Sequence, residues 1–232
     1  MKTEEISLHV IAHIENDFKD KFGIPRQSGL AKHLVSKIVF EEEFRNPDAF
    51  RGIEEYSHLW LLWYFSEADR QGEWSPTVRP PRLGGNTRVG VFATRSPFRP
   101  NPVGISSVKL EHFEMDKKLG PVLYVSGADL MDGTPIFDVK PYLAYVDSHA
   151  EAVDGFALNQ TEGVLKVVVP DELLFVMPEE KRAGLVEILG QDPRPQYQNS
   201  AERIYKMRFA EFEVHFRVVK DILYVENIVS AC

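Results

Sequence analysis

ISLHVIAHI, residues Ile6 to Ile14, places Ile6, Leu8, Val10, Ala12 and Ile14 at strictly alternating positions. That period of two is the mark of a half-buried strand, and it turns His9, Ile11 and His13 to the other face. Short runs of similar character recur at Leu34 to Phe40, His58 to Phe65, Arg88 to Thr94, Val103 to Phe113, Val122 to Ala128 and Ile136 to Val139, with Gly, Pro, Asn and Asp between them. Such punctuation separates strands rather than helices and predicts a mainly β chain, folded as a barrel or a sandwich. After Tyr145 the pattern changes. Asp147 to Gly163 is polar and reads as a linker or a peripheral excursion, and Val164 to Val169 reads as a further strand. Pro178 to Leu189 carries Leu185, Ile188 and Leu189 at helical spacing, with Glu179 and Glu180 in the first turn and Gly190 at the end. These are helix start and stop signals. Alternation returns in Tyr205, Met207 and Phe209, in Phe212, Val214, Phe216 and Val218, and in Ile222 and Tyr224. The expected organisation is a β domain over residues 1–150 and a small α+β domain over residues 151–232.

The 232 residues are 44% hydrophobic and 27% charged, which suits one sizeable core with a smaller companion. No apolar run approaches the roughly 20 residues of a membrane span, and no opening signal segment is visible, so a cytoplasmic protein is expected. The single cysteine, Cys232, is poorly placed to be an activated nucleophile. A net charge of -8 argues against unselective binding of nucleic acid. The charge is unevenly spread, however. No acidic residue lies between Glu73 and Glu111, whereas Arg79, Arg82, Arg88, Arg95, Arg99 and Lys109 do.

Within that basic window, Arg79 to Ile105 holds Pro80, Pro81, Pro97, Pro100 and Pro102 together with Gly84, Gly85, Gly90 and Gly104. Proline restricts the backbone and glycine permits close approach, so arginines mounted here offer planar forks to a carboxylate or phosphate at reduced ordering cost. Surface turns paired with acidic neighbours are the plainer reading. Neither a GxGxxG dinucleotide loop nor a GxxxxGK[ST] phosphate loop is present, which excludes the doubly wound nucleotide-binding classes. His9 and His13 share a strand face but lack a third ligand, so no metal site is expected. His58 reads as a structural residue. Asp129, Asp132 and Asp138 flank the turn DGTP and serve either turn formation or ligand contact.

The string GVFATRSPFRPNPVGIS (Gly90–Ser106), with PRQSGL (Pro25–Leu30), resembles the TrmO family, also called TsaA-like or YaeB, of S-adenosylmethionine-dependent tRNA methyltransferases. The similarity continues in FRGIEEYSHLWLLWYF (Phe50–Phe65), DLMDGTPIFDVKPYLAYVDS (Asp129–Ser148) and DPRPQY (Asp192–Tyr197), in the same order along most of the chain. The resemblance implies a β-barrel methyltransferase domain with a small carboxy-terminal domain, assembled as a homodimer. It implies S-adenosylmethionine as cofactor and, as substrate, the threonylcarbamoyl-adenosine beside the anticodon of certain tRNAs, methylated on N6.

Matched residue by residue, the resemblance assigns cofactor contacts to Pro25, Arg26, Gln27, Phe65, Ser66, Arg95, Ile105 and the turn Leu130, Met131, Asp132, Gly133 and Thr134. Many relatives carry histidine where this chain has Ser66. The residue types agree with the chemistry: Arg26 or Arg95 can take the cofactor's carboxylate, and Phe65 or Ile105 can wall its adenine. Arg82, Arg99 and Asn101 are the expected substrate contacts, and Asp192, Arg194 and Tyr197 are expected to position tRNA or complete the active site across the dimer. Asp192 or Asp132 is a candidate base for the acceptor nitrogen. Two other readings remain at this point: a module that senses the cofactor or an anion without chemistry, and a methyltransferase of another substrate.

Overall fold

Alternation of apolar and polar residues makes strands, but a strand persists only where a neighbour accepts its hydrogen bonds. The computed structural model describes residues 5–68, 74–80, 83, 86–156, 164–194 and 200–231. In chain order its first strands are β1 (Ala12–Glu15), β2 (Val35–Phe40), β3 (His58–Tyr64), the short pair β4 (Thr77–Val78) and β5 (Val89–Gly90), then β6 (Val103–Asp116), β7 (Gly120–Ser126) and β8 (Pro135–Pro141). Six of them close a barrel in the order β1-β2-β7-β6-β3-β8, with every neighbouring pair antiparallel. Closure leaves no unpaired edge. Ile14, Ile38, Leu59, Leu61, Val108, Leu123, Val125 and Ile136 fill the interior.

The stretch Ile6 to Ile14 is a strand only at its end. Ile6 is 81% exposed and Leu8 60%, and pairing starts near Ala12, opposite Phe40 of β2 and Ile136 of β8. Beyond Phe40 the chain turns into a 3-10 segment at Glu42–Phe44, so residues 6–10 have no strand to pair with. The run Arg88 to Thr94 is likewise shorter than expected. Only Val89–Gly90 is extended, because Val91–Ala93 closes into a 3-10 turn that buries Val91.

After β8 come α1 (Ala144–Asp147), β9 (Lys166–Val168), α2 (Asp171–Leu174), α3 (Glu179–Gly190), β10 (Tyr205–Phe209), β11 (Phe212–Val219) and β12 (Ile222–Ser230). The last three strands form an antiparallel meander, and β9 joins it parallel to β12. Helix α3 buries Leu185, Ile188 and Leu189 on the face that the sequence spacing predicts. This second core also takes in Phe18, Ala31 and Leu34, which belong to the connection between β1 and β2. That connection is fastened by the Ala210 N–H donating to the Asp17 carbonyl (2.9 Å) and by Lys181 Nζ paired with Asp17 Oδ1 (2.5 Å).

Gly184 of α3 is closely packed on this connection, and a Cβ there would stand 2.2 Å from Leu34 Cδ2 and 2.4 Å from its Cγ. Alanine there gains about 1 kcal/mol of helix propensity. Crowding a buried leucine costs about 1–3 kcal/mol. Gly184→Ala is therefore expected to lower the thermal midpoint despite being the better helix former. An unchanged or raised midpoint would mean that Leu34 yields freely.

Candidate active site

Prolines remove backbone donors, so the loop after β5 must be held by side chains and short turns. Thr94 Oγ1 donates to the Val91 carbonyl (2.8 Å) and accepts the Ser96 N–H (3.2 Å). Ser96 Oγ accepts the Phe98 N–H, the Arg99 N–H reaches the Pro97 carbonyl (2.9 Å), and the Arg99 guanidinium donates to the Thr94 carbonyl (3.1 Å). The Phe65 N–H bonds to the Pro102 carbonyl (2.9 Å), which ties this loop to the end of β3.

At the mouth so formed lies a cleft of about 840 Å³. Its walls are the segment Ile24–Gln27, the end of β3 through Ala68, the loop from Phe92 to Asn101, the start of β6, and Asp129, Met131 and Thr134 after β7. The segment Pro25–Leu30 is seated on the barrel by two glycines. The Gly29 N–H donates to the Gly127 carbonyl (2.8 Å), and a Cβ on Gly127, whose φ is +78°, would come within 3.1 Å of Gly29 Cα.

Of the residues expected to hold the cofactor, Pro25, Arg26, Gln27, Phe65, Ser66, Arg95, Ile105, Met131 and Thr134 line this cleft, as do Arg99 and Asn101 from the expected substrate contacts. Arg95 Nη1 donates to Gln27 Oε1, and Arg26 Nη2 donates to the Asp192 carbonyl (2.8 Å). Three residues of the stretch Leu130 to Thr134 are placed differently. Leu130 is wholly buried in the barrel core. Asp132 spends its oxygens on the Asn16 N–H (2.8 Å) and on Lys19 Nζ (2.7 Å), and Gly133 occupies the left-handed region at φ +75°. None of these three is among the lining residues. Asp192, at φ 51°, is paired through both carboxylate oxygens with the Arg194 guanidinium (2.8 Å each) and is not among the lining residues, its carbonyl accepting from Arg26. Asp138 pairs with Lys140 (2.9 Å). Arg82 and Tyr197 lie outside the described residues. Among the described residues no cluster of His, Cys, Asp or Glu is arranged to hold a metal; His13 instead meets Glu41 at 2.6 Å. His58 bonds to Ser57 Oγ and tilts against Tyr142, a structural use as expected.

Sequence reasoning missed a buried chain of three groups behind the cleft. Trp63 Nε1 donates to Ser106 Oγ (2.9 Å), and Ser106 Oγ donates to Asp129 Oδ1 (2.5 Å). Burial pushes the Asp129 carboxyl above its ordinary range, opposed by Ser106, by backbone N–H groups and by the positive charge of Arg95. The Trp63 ring lies flat across Gly104, its register partner on β6, where a Cβ would be 2.3 Å from Cε2. A signal for this chain existed: Ser106 is a hydroxyl at an inward position of an otherwise apolar alternation, followed by Val108 and Leu110.

Residues 13–148 match the tRNA-methyltransferase O N-terminal domain, and residues 177–231 match the TrmO C-terminal domain. The tRNA (adenine(37)-N6)-methyltransferase of Escherichia coli (strain K12) is 40% identical over 216 residues, covering 90% of this chain and 91% of that protein. A Pseudomonas aeruginosa protein described as a putative S-adenosylmethionine-dependent methyltransferase is 39% identical over 217 residues, with 90% and 91% covered. The crystal structure of TrmO from Pseudomonas aeruginosa superimposes with a TM-score of 0.78 at 32% identity, covering 98% of this chain and 100% of that one. A closed barrel bearing a basic, aromatic-walled cleft, joined to a small sheet domain and matched along nearly its whole length, belongs to the TrmO family.

Proposed function

We propose that this protein is an S-adenosylmethionine-dependent tRNA methyltransferase that acts on N6 of the threonylcarbamoyl-adenosine at position 37, beside the anticodon. The observation that carries this reading is the joint presence of Arg26, Arg95 and Arg99 with Phe65 and Ile105 in a single cleft. The residues fit the methyl donor. About 840 Å³ is within the usual range for a cofactor site, and Ile105 is 54% exposed at an apolar wall that adenine would cover. Arg95 or Arg26 supplies a fork for the carboxylate.

When bound, the donor supplies an electrophilic methyl group on a positively charged sulfur. The chain's own part is to orient the acceptor nitrogen and to keep water away, which accounts for much of the rate in such transfers. Arg99 and Asn101, with Arg82, would meet the polar modification. Phe92, 72% exposed on the cleft rim, and Trp74, 48% exposed, have ring centroids 6.1 Å apart and offer unstacked bases a surface. Such a substrate implies work in the cytoplasm. The family resemblance also supports a homodimer in which Asp192, Arg194 and Tyr197 help to complete the site or to position tRNA.

The acceptor nitrogen must give up a proton. Asp132 gives its two oxygens to the Asn16 N–H and to Lys19, and Asp192 gives both of its oxygens to Arg194, so neither carboxylate is aimed into the cleft. We therefore assign Asp192 to positioning, through its carbonyl on Arg26. Asp192→Asn is expected to change the single-turnover methylation rate at saturating cofactor less than about threefold. A loss of about 100-fold, the size of a general-base contribution, would restore the base assignment.

The test of the overall reading is incubation with labelled S-adenosylmethionine and total tRNA, with and without the threonylcarbamoyl modification, followed by nucleoside mass spectrometry. Methyl label on the modified adenosine alone is expected. Cofactor binding with no methylated nucleoside would favour a sensing module, and label elsewhere would favour another acceptor.

A further inference from the structure

Asp129 projects from the chain after β7 into the inner wall of the cleft, and its neighbours leave it one electrostatic role. An indole N–H can only donate, so Ser106 Oγ must accept from Trp63. The one proton of Ser106, which is 1% exposed, is then directed at Asp129 Oδ1. The backbone N–H groups of Ser28 and of Asp129 itself favour the charged form of the same carboxylate. Trp63 and Ser106 thus hold the acceptor in place from behind, and an ionised carboxylate has about four acceptor positions. Acceptor positions remain for the cleft.

Across from it stands Arg95, close enough to favour the charged form of Asp129, with its guanidinium oriented by Gln27. Only one other carboxylate lines the cleft among the described residues. Glu67 is exposed and faces Lys21 at 3.8 Å, so solvent screens it. A fixed, partly desolvated anion beside an oriented cation is complementary to a zwitterion, the charge pattern of a free amino-acid end.

We propose that Asp129 receives the α-ammonium of the methyl donor's amino-acid moiety while Arg95 takes its α-carboxylate. This rests on the cofactor reading above and adds to it a residue outside the contacts that the family resemblance assigns. Arg26 is left free to brace Asp192.

Isothermal titration of the full chain with S-adenosylhomocysteine, and with its analogue lacking the α-amino group, tests this without any need for turnover. Wild type is expected to bind the amino compound about 10- to 100-fold more tightly, the usual worth of a hydrogen bond between charged groups. Asp129→Asn keeps an oxygen for Ser106 and should bring the two affinities within about threefold. Ser106→Ala retains the charge and should keep the preference even if both affinities weaken.

A wild type that does not distinguish the two ligands overturns the proposal, and that measurement needs no variant to fold. An Asp129→Asn protein that loses both affinities by the same factor also overturns it, because Asp129 would then be only a clamp for the Pro25–Leu30 segment. If Asp129→Asn instead narrows the preference for S-adenosylmethionine over S-adenosylhomocysteine, the carboxylate faces the sulfonium and the ammonium assignment falls. Binding of neither thioether by wild type, nor of S-adenosylmethionine, would overturn the cofactor reading itself.

Discussion

Replacing Gly104 with alanine is expected to damage both stability and cofactor binding, more than a single methyl group ordinarily does. The new Cβ would lie 2.3 Å from Cε2 and 2.4 Å from Cζ2 of Trp63, well inside contact distance. A flexible side chain could retreat, but this one is pinned. Its Nε1–H is given to Ser106, its ring is 7% exposed among barrel residues, and its outer side is packed on Phe65 at 4.2 Å between centroids. Tilting the ring breaks the bond to Ser106 and leaves a buried donor without its acceptor, at about 1–3 kcal/mol. Overpacking alone costs about 1–3 kcal/mol. Because Phe65 and Asp129 both face the cleft, the same displacement should weaken S-adenosylmethionine at least about tenfold, which is 1.4 kcal/mol. Thermal unfolding and calorimetric titration of the variant decide the matter. A midpoint and Kd equal to wild type would show that Trp63 has room which the packing does not reveal.

How far the sequence reaches is visible in the same residues. Strands β2, β3 and β7 and the terminal meander were legible because alternation is local and each has a partner. Ile6 to Val10 alternate just as well and are not a strand, since a period carries no information about whether a neighbour exists. Phe18, Ala31 and Leu34 lie among barrel residues in the chain yet pack in the second core, a long-range choice with no period of its own. For the site, the density of proline, glycine and arginine marked a loop that lines the cleft, and the family resemblance set Pro25, Gln27 and Arg95 among the cofactor contacts, all three of which line it too. It also swept in Leu130, whose side chain faces the barrel core while its neighbours Met131 and Thr134 face the cleft. Of the Trp63, Ser106 and Asp129 chain only the inward hydroxyl of Ser106 was legible, and its pairing was not. It depends on the register of β3 against β6, which is set only when the barrel closes.

Arg99→Ala is expected to separate substrate recognition from cofactor binding. Arg99 is half-buried on a loop stiffened by Pro97, Pro100 and Pro102, and its Nη1 is braced by the Thr94 carbonyl at 3.1 Å. That leaves the rest of the fork oriented over the cleft, in a stretch from residue 74 to residue 110 without a single acidic side chain. A carboxylate on the modified adenosine would meet a preorganised partner there, worth about 1.5–3 kcal/mol. Loss of the guanidinium should thus lower kcat/KM for threonylcarbamoylated tRNA by about 10- to 100-fold, while Kd for S-adenosylmethionine moves less than about twofold. Arg99→Lys should recover little of this, because an ammonium cannot reproduce the planar two-point contact. Removing one phosphate-range cation would also flatten the salt dependence of tRNA binding by about 0.7–0.9 in the logarithmic slope if Arg99 contacts the backbone instead. The two roles part on unmodified tRNA. A residue that reads the modification leaves binding of unmodified tRNA nearly unchanged when it is removed, whereas a backbone contact weakens modified and unmodified tRNA alike. Equal loss of tRNA and cofactor affinity would contradict both, and would place Arg99 in the cofactor wall beside Arg95.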